Sequence, residues 1–121
     1  MAGTLYDIQE LKKHIQDDSE VPHHIANFIV NIAEESCNDL LGSYLKKENE
    51  LSRAKAEKLK MSLSMFGVHA IEKDIDKLHA LLKDSDSFQT ILPVMNRIKS
   101  HLRMVKKQML KDFKMVITLV N

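Results

Sequence analysis

Six histidines are the side chains of this 121-residue sequence best suited to move a proton, hold a metal or carry a phosphoryl group. His23 and His24 are adjacent; on a helix they diverge by about 100° and cannot share one metal. His14, His69, His79 and His101 stand singly. The nearest approach to a ligand pattern is Glu72, Asp76 and His79, spaced i, i+4, i+7 on one helix face. A carboxylate-bridged dimetal bundle needs an acid-x-x-His pair from each of two helices, and Asp76-x-x-His79 has no second copy. That face therefore reads as a solvated surface, and no metal or other cofactor is expected. Cys37 lies among Glu34, Glu35 and Asp39, negative neighbours that raise a thiol pKa, so it reads as a packing residue. The sequence has no phosphate-cradling glycine loop, nucleophile elbow or metalloprotease motif.

The elements that must position these groups are helical nearly throughout. Ile91, Met95, Ile98, Leu102, Val105 and Met109 step by 4, 3, 4, 3, 4, with Arg97, Lys99, Arg103, Lys106 and Lys107 on the other faces. This helix is expected to begin near Thr90, with Pro93 in its first turn. Val68, Ile71, Ile75, Leu78 and Leu82 predict a helix over 68–84. A long helix is expected from Pro22 to about Lys47, burying Ile25, Phe28, Ile29, Ile32, Leu40, Leu41 and Tyr44. Another runs from Asn49 to Phe66, with Leu59, Leu63 and Phe66 inward and Gly67 as the left-handed residue after its end. A short amphipathic piece, Leu5, Ile8, Leu11 and Ile15, precedes them all. Short loops between amphipathic helices favour an all-α fold, an antiparallel up-down four-helix bundle of about residues 22–112 with a short extra N-terminal helix. The β-branched tail 115–120 is left open as a helix extension, an irregular segment or an association element.

Length and composition set the outer limits. The chain suits one domain, 1–121, and its 44% hydrophobic content is too high for a disordered chain. A single Cys excludes an intramolecular disulfide and any cysteine-built zinc site. No run approaches the ~18 apolar residues of a membrane span, and the start lacks a secretion signal, so a cytoplasmic protein is expected. Net charge is +1, which gives no global attraction to nucleic acid or membrane, and neither is expected as a partner. The basic last helix also lacks aromatics for stacking on bases. Charge is polarised along the chain: residues 1–50 carry ten acidic and four basic side chains, residues 51–121 seven and fourteen. Such polarity either orients a partner or reflects solvated faces of opposite sign.

The segment Ala56-Glu57-Lys58-Leu59-Lys60-Met61-Ser62-Leu63-Ser64-Met65-Phe66-Gly67-Val68 carries a more specific signal. It resembles the signature of histidine-containing phosphotransfer (HPt) domains: Ala-His-x-Leu-Lys-Gly-Ser, a short spacer, then an apolar residue, Gly and a small apolar residue. Ala56, Leu59, Lys60, Ser62, Phe66, Gly67 and Val68 match in register. The order of helices is also similar over about residues 20–112. The resemblance implies a four-helix bundle that passes phosphoryl groups to and from the receiver domain of a response regulator or hybrid histidine kinase.

Two positions depart from the pattern. Glu57 stands where the family's phosphorylated histidine stands, and Met61 where it has a small residue. A carboxylate cannot replace the neutral imidazole nitrogen that carries the phosphoryl group. Glu57 lies about 160° around the helix from Leu59, and Lys60, Met61 and Ser64 fall within about 60° of Glu57. The expected binding stripe is therefore Glu57, Lys60, Met61 and Ser64, with no catalytic residue. The resulting expectation is an HPt-like module that docks receivers without carrying phosphate, with Lys60 beside the Glu57 charge. The alternatives are phosphotransfer through another histidine, His69 or His79; a native histidine replaced by Glu57; and a helical interaction domain unrelated to phosphorelays.

Overall fold

The apolar spacings dictate helices, and the described residues, 5–84 and 87–113 of the computed structural model, form helices and no strand. The tail 115–120 lies outside them. In chain order come α1 (Ile8–Lys12), a 3-10 turn (Asp18–Glu20), α2 (Val21–Asn27), a π segment (Phe28–Ala33), α3 (Ser36–Leu45), α4 (Asn49–Met65), α5 (Glu72–Lys83) and α6 (Phe88–Asp112). Consecutive helices are neighbours: α3 packs on α4, α4 on α5, and α5 on α6, while α6 returns to the π segment and α3. Among the described residues no helix is long and apolar enough to cross a membrane.

Most of the residues that periodicity picks out form the core, but Ile32, Leu41 and Tyr44, expected to be buried, are only partly covered and pack against its edge. The whole α6 seam, Ile91, Met95, Ile98, Leu102, Val105 and Met109, is buried, and faces Ile75, Leu78 and Leu82 of α5 and Leu59 and Leu63 of α4 in one cluster. Phe28 and Phe66 pack against each other in it, with ring centroids 4.7 Å apart and the ring planes tilted by 58°. Each such side chain removed from water contributes about 1.5–3 kcal/mol.

Three helix boundaries differ from expectation. The helix expected over 22–47 is not continuous: it widens into the π segment and turns at Glu34–Glu35 before α3 resumes. The i→i+5 pattern of a π turn adds a residue to the turn. Phe28 and Ile29 are fully buried at its start, and Ser36 Oγ donates to the Ile32 carbonyl at 2.5 Å beside the break. The fifth helix starts at Glu72 rather than Val68, because Gly67 reverses the chain and Val68 and Ile71 reach the core from the turn that follows. The last helix starts at Phe88, with the Ser87 side chain accepting from Thr90 N, so Pro93 lies in its second turn. The N–H that proline lacks leaves the Gln89 carbonyl without an intrahelical donor, at a residue that is exposed to water.

Gly67 ends α4 as expected, with φ of 69°. Val68 N donates to Leu63 O at 2.9 Å and Gly67 N to Ser64 O at 3.0 Å, the two bonds of a Schellman motif. The same turn holds the N-terminal piece. Asp7 N donates to Phe66 O at 2.9 Å, and a Cβ on Gly67 would lie 2.5 Å from Asp7 Cβ. Glycine is thus required twice here, for its backbone angle and for the close approach of Asp7.

Candidate functional site

The motif lies on α4, where Ser52, Ala56, Leu59 and Leu63 face the core and fix the rotation of the helix. That rotation leaves Glu57, Met61 and Ser64 exposed on the outer face, with Lys60 partly covered toward α5. Met61 is 71% exposed, the most open of the large apolar side chains described.

Across this face α5 supplies two partners. Lys60 Nζ donates to Asp76 Oδ1 at 2.7 Å, and His79 Nε2 lies 3.8 Å from Glu57 Oε2. Ala56 and Ile75 join these four side chains around a cavity of about 120 Å3. The Asp76 hydrogen bond, and secondarily the charges of Asp76, Glu72 and Glu57, hold the Lys60 ammonium above the usual lysine range. Lys60 is therefore directed to Asp76 on the neighbouring helix, whereas the sequence places it simply beside Glu57. A hydrogen-bonded carboxylate one helix away captures a long, flexible ammonium more strongly than an unbonded charge on its own helix.

The Glu72, Asp76 and His79 face is accordingly engaged by neighbours. Glu72 meets His69 Nδ1 at 2.6 Å, Asp76 takes Lys60 and His79 approaches Glu57. These contacts send the three side chains in different directions. Among the described residues no group of three His, Cys, Asp or Glu side chains could hold a metal.

Cys37 is buried, and its thiol is pushed up to about 11. Burial is the main cause, with Lys99 and Ser36 acting in the opposite sense; the acidic neighbours are not the source. The basic side chains of α6 are in part engaged within the fold. Arg97 Nη2 meets Asp74 Oδ1 at 3.0 Å, Lys99 donates to Asn38 Oδ1 at 3.4 Å, and Lys106 pairs with Glu34. Lys106–Glu34, together with Lys55–Asp39 at 3.0 Å, joins a base of the second half to an acid of the first, whereas Arg97 pairs within the second half.

The other side of α4 opens on a groove of about 860 Å3 that sequence reasoning did not locate. Ile32 and Leu59 lie beneath it, and Asn31, Ser36, Lys58 and Ser62 line its sides. The π segment packs on α6 and α3, and the gap opens between it and α4. The available sequence signal was the row of amides, Asn27, Asn31 and Asn38, but the π turn that places them is invisible to a 3.6-residue periodicity.

No protein-family profile, curated protein or solved structure matches the chain. The likeness of α4 to the HPt signature therefore stands on its own residues.

Proposed function

We propose that this chain is a degenerate HPt-like domain, a cytoplasmic phosphorelay module that docks receiver domains without carrying phosphate. In this reading the helices from Val21 to Leu45 act as one broken helix and form an antiparallel up-down four-helix bundle with α4, α5 and α6. The observation that carries the reading is Glu57, exposed on the outward face of α4 at the motif's carrier position, beside the open Met61. Glu57 offers a receiver a fixed negative charge but no nitrogen to phosphorylate. Met61 supplies the apolar centre of the contact, and Ser64 and the half-covered Lys60 its margin. The partner is the receiver domain of a response regulator or hybrid histidine kinase, and the contact works by inhibition or scaffolding. Nucleic acid, membrane and cofactor have no part in it.

Titrating purified receiver domains against the wild type, Met61→Ala and Lys60→Ala tests this reading. Burying an apolar side chain of this size is worth roughly 1.5–3 kcal/mol, so Met61→Ala should weaken docking by about ten- to a hundredfold. Lys60→Ala should act mainly on the salt dependence of association. Tighter binding by Met61→Ala would identify Met61 as an obstruction and argue that the face has drifted from receiver docking. No effect at either position would place the interface elsewhere.

One contact favours a second reading, in which His79 is the carrier. Its Nε2 stands 3.8 Å from Glu57 Oε2, so a histidine from α5 borders the position the motif assigns to one on α4. Transfer would break the bond between phosphorus and the receiver's aspartyl oxygen and form one to His79 Nε2, the carboxylate leaving with the electron pair. Acid-labile, base-stable phosphate on His79 would select this reading over the first.

A further inference from the structure

We infer that the outer face of α6 is a docking site for an acidic amphipathic helix of a partner protein. The inference is independent of the receiver reading, which concerns the outward stripe of α4; α5 packs on both helices.

Charge on this face has one sign. From Phe88 to Lys111 the helix carries six basic side chains and no acidic one. Three of the six are engaged within the fold, Arg97 by Asp74, Lys99 by Asn38 and Lys106 by Glu34. Arg103, Lys107 and Lys111 are exposed and make no ion pair among the described residues. With Asn96, Ser100 and Met104, all exposed, they occupy about 100° of the helix surface over about 22 Å of axis. Met104 is 54% exposed in the middle of the row. The exposed faces of the other helices mix the two signs, Glu57 with Lys58 on α4 and Asp76 with Lys73 and Lys77 on α5. Arg103, Lys107 and Lys111 stand at i, i+4 and i+8, where like charges repel. The helix dipole favours Lys111 in the last turn but does not reach as far as Arg103. An anionic partner relieves this repulsion.

Spacing and surroundings select a helix as the occupant. The cations follow one another at a rise of about 6 Å. Acidic side chains at every fourth position of a facing helix repeat at the same rise, and their i+3 neighbours put apolar side chains on the same face to cover Met104. A single strand supplies carboxylates at every second residue, but its intervening side chains point to the other face and miss Met104. A nucleic-acid duplex or an anionic membrane is broader, and would bring negative charge onto Glu34 and Asp74, the partners of Lys106 and Arg97 at the edges of the row. The row also has no aromatic side chain to stack on bases, and no exposed apolar side chain besides Met104 to enter a bilayer.

The test uses a capped peptide of four Glu-Ala-Ala-Leu repeats, long enough to form helix and as long as the row. Titrated into the isotope-labelled full chain, it should shift the backbone amides of Ser100, Arg103 and Lys107 and the methyl resonance of Met104. The double variant Arg103→Glu, Lys107→Glu should weaken this binding about tenfold or more, the product of two exposed ion pairs. The same variant should gain affinity for a peptide of Lys-Ala-Ala-Leu repeats. Lys73→Glu with Lys77→Glu makes the same change in net charge on α5 and should alter binding less than twofold. All four positions are exposed, and circular dichroism verifies that each variant folds. Absence of shifts on α6 with millimolar peptide would overturn the inference, as would shifts confined to Met61 and Ser64 of α4. So would an equal loss in the α5 variant, or tighter binding to a DNA duplex or to phosphatidylcholine–phosphatidylserine vesicles than to the peptide. Self-association of the wild type that the α6 variant abolishes would make a second copy the occupant and overturn the inference too.

Discussion

Lys60 on α4 is hydrogen-bonded to Asp76 on α5 at 2.7 Å, so the motif's lysine serves the α4–α5 interface. The contact joins the motif helix to the next helix at the height of the carrier position, where His79 also approaches Glu57. Both side chains of the Lys60–Asp76 pair keep substantial exposure, and solvent screening makes such a pair a weak contributor to stability.

The first prediction follows from that pairing. Asp76→Asn should lower the Lys60 pKa toward the ordinary lysine value, read by NMR titration of its side chain, and leave the unfolding midpoint nearly unchanged. The sign is fixed by linkage. A lysine raised in the folded state contributes its stability below the unfolded pKa and loses it as pH rises through the folded one. The variant should therefore lose less stability than the wild type as pH rises above the ordinary lysine pKa of about 10.4.

Two turns make opposite predictions about glycine. Gly67 and Lys47 both adopt left-handed backbone angles, φ 69° and 62°, each just after a helix. Gly67→Ala adds a Cβ 2.7 Å from the backbone nitrogen of Asp7 as well as the backbone strain. It should destabilise by about 2–4 kcal/mol. Lys47→Gly relieves the strain without a clash and should raise stability by up to about 1 kcal/mol. Urea unfolding of both variants measures the difference.

For Cys37 the expected result is protection from chemistry. With the thiol pushed up to about 11 and the side chain buried, alkylation at pH 8 should be slow in the folded protein. Its rate should rise with urea in step with unfolding. Labelling as fast in the native protein as in the denatured one would show that α3 does not bury this side chain.

The sequence disclosed most of the core and the rotation of α4, because both follow from spacing alone. Leu59, Leu63 and Phe66 are inward as their spacing requires, and Glu57, Met61 and Ser64 are outward. Gly67 was legible for the same reason: a glycine directly after a helical run marks a left-handed end. What spacing could not supply were relationships between helices. Nothing within α4 says that Asp76 will take Lys60, or that His79 will stand near Glu57. The π segment was hidden because Phe28, Ile29 and Ile32 fit a 3.6-residue period well enough to read as continuous helix. The groove beside it was hidden as a consequence. Pro93 deceived in another way. Proline is common in a first helical turn, but here Ser87 caps the helix earlier and water at the exposed Gln89 tolerates the missing bond.

The most direct measurement is incubation of the chain with a radiolabelled phosphorylated receiver and Mg²⁺, analysed in parallel on native and denaturing gels. Docking without transfer predicts that the receiver comigrates with this chain on the native gel. On the denaturing gel the label should remain on the receiver or appear as free phosphate, with none on this chain. Label that follows the chain through denaturation and is lost in acid but stable in base would contradict the account and assign phosphotransfer to one of its histidines.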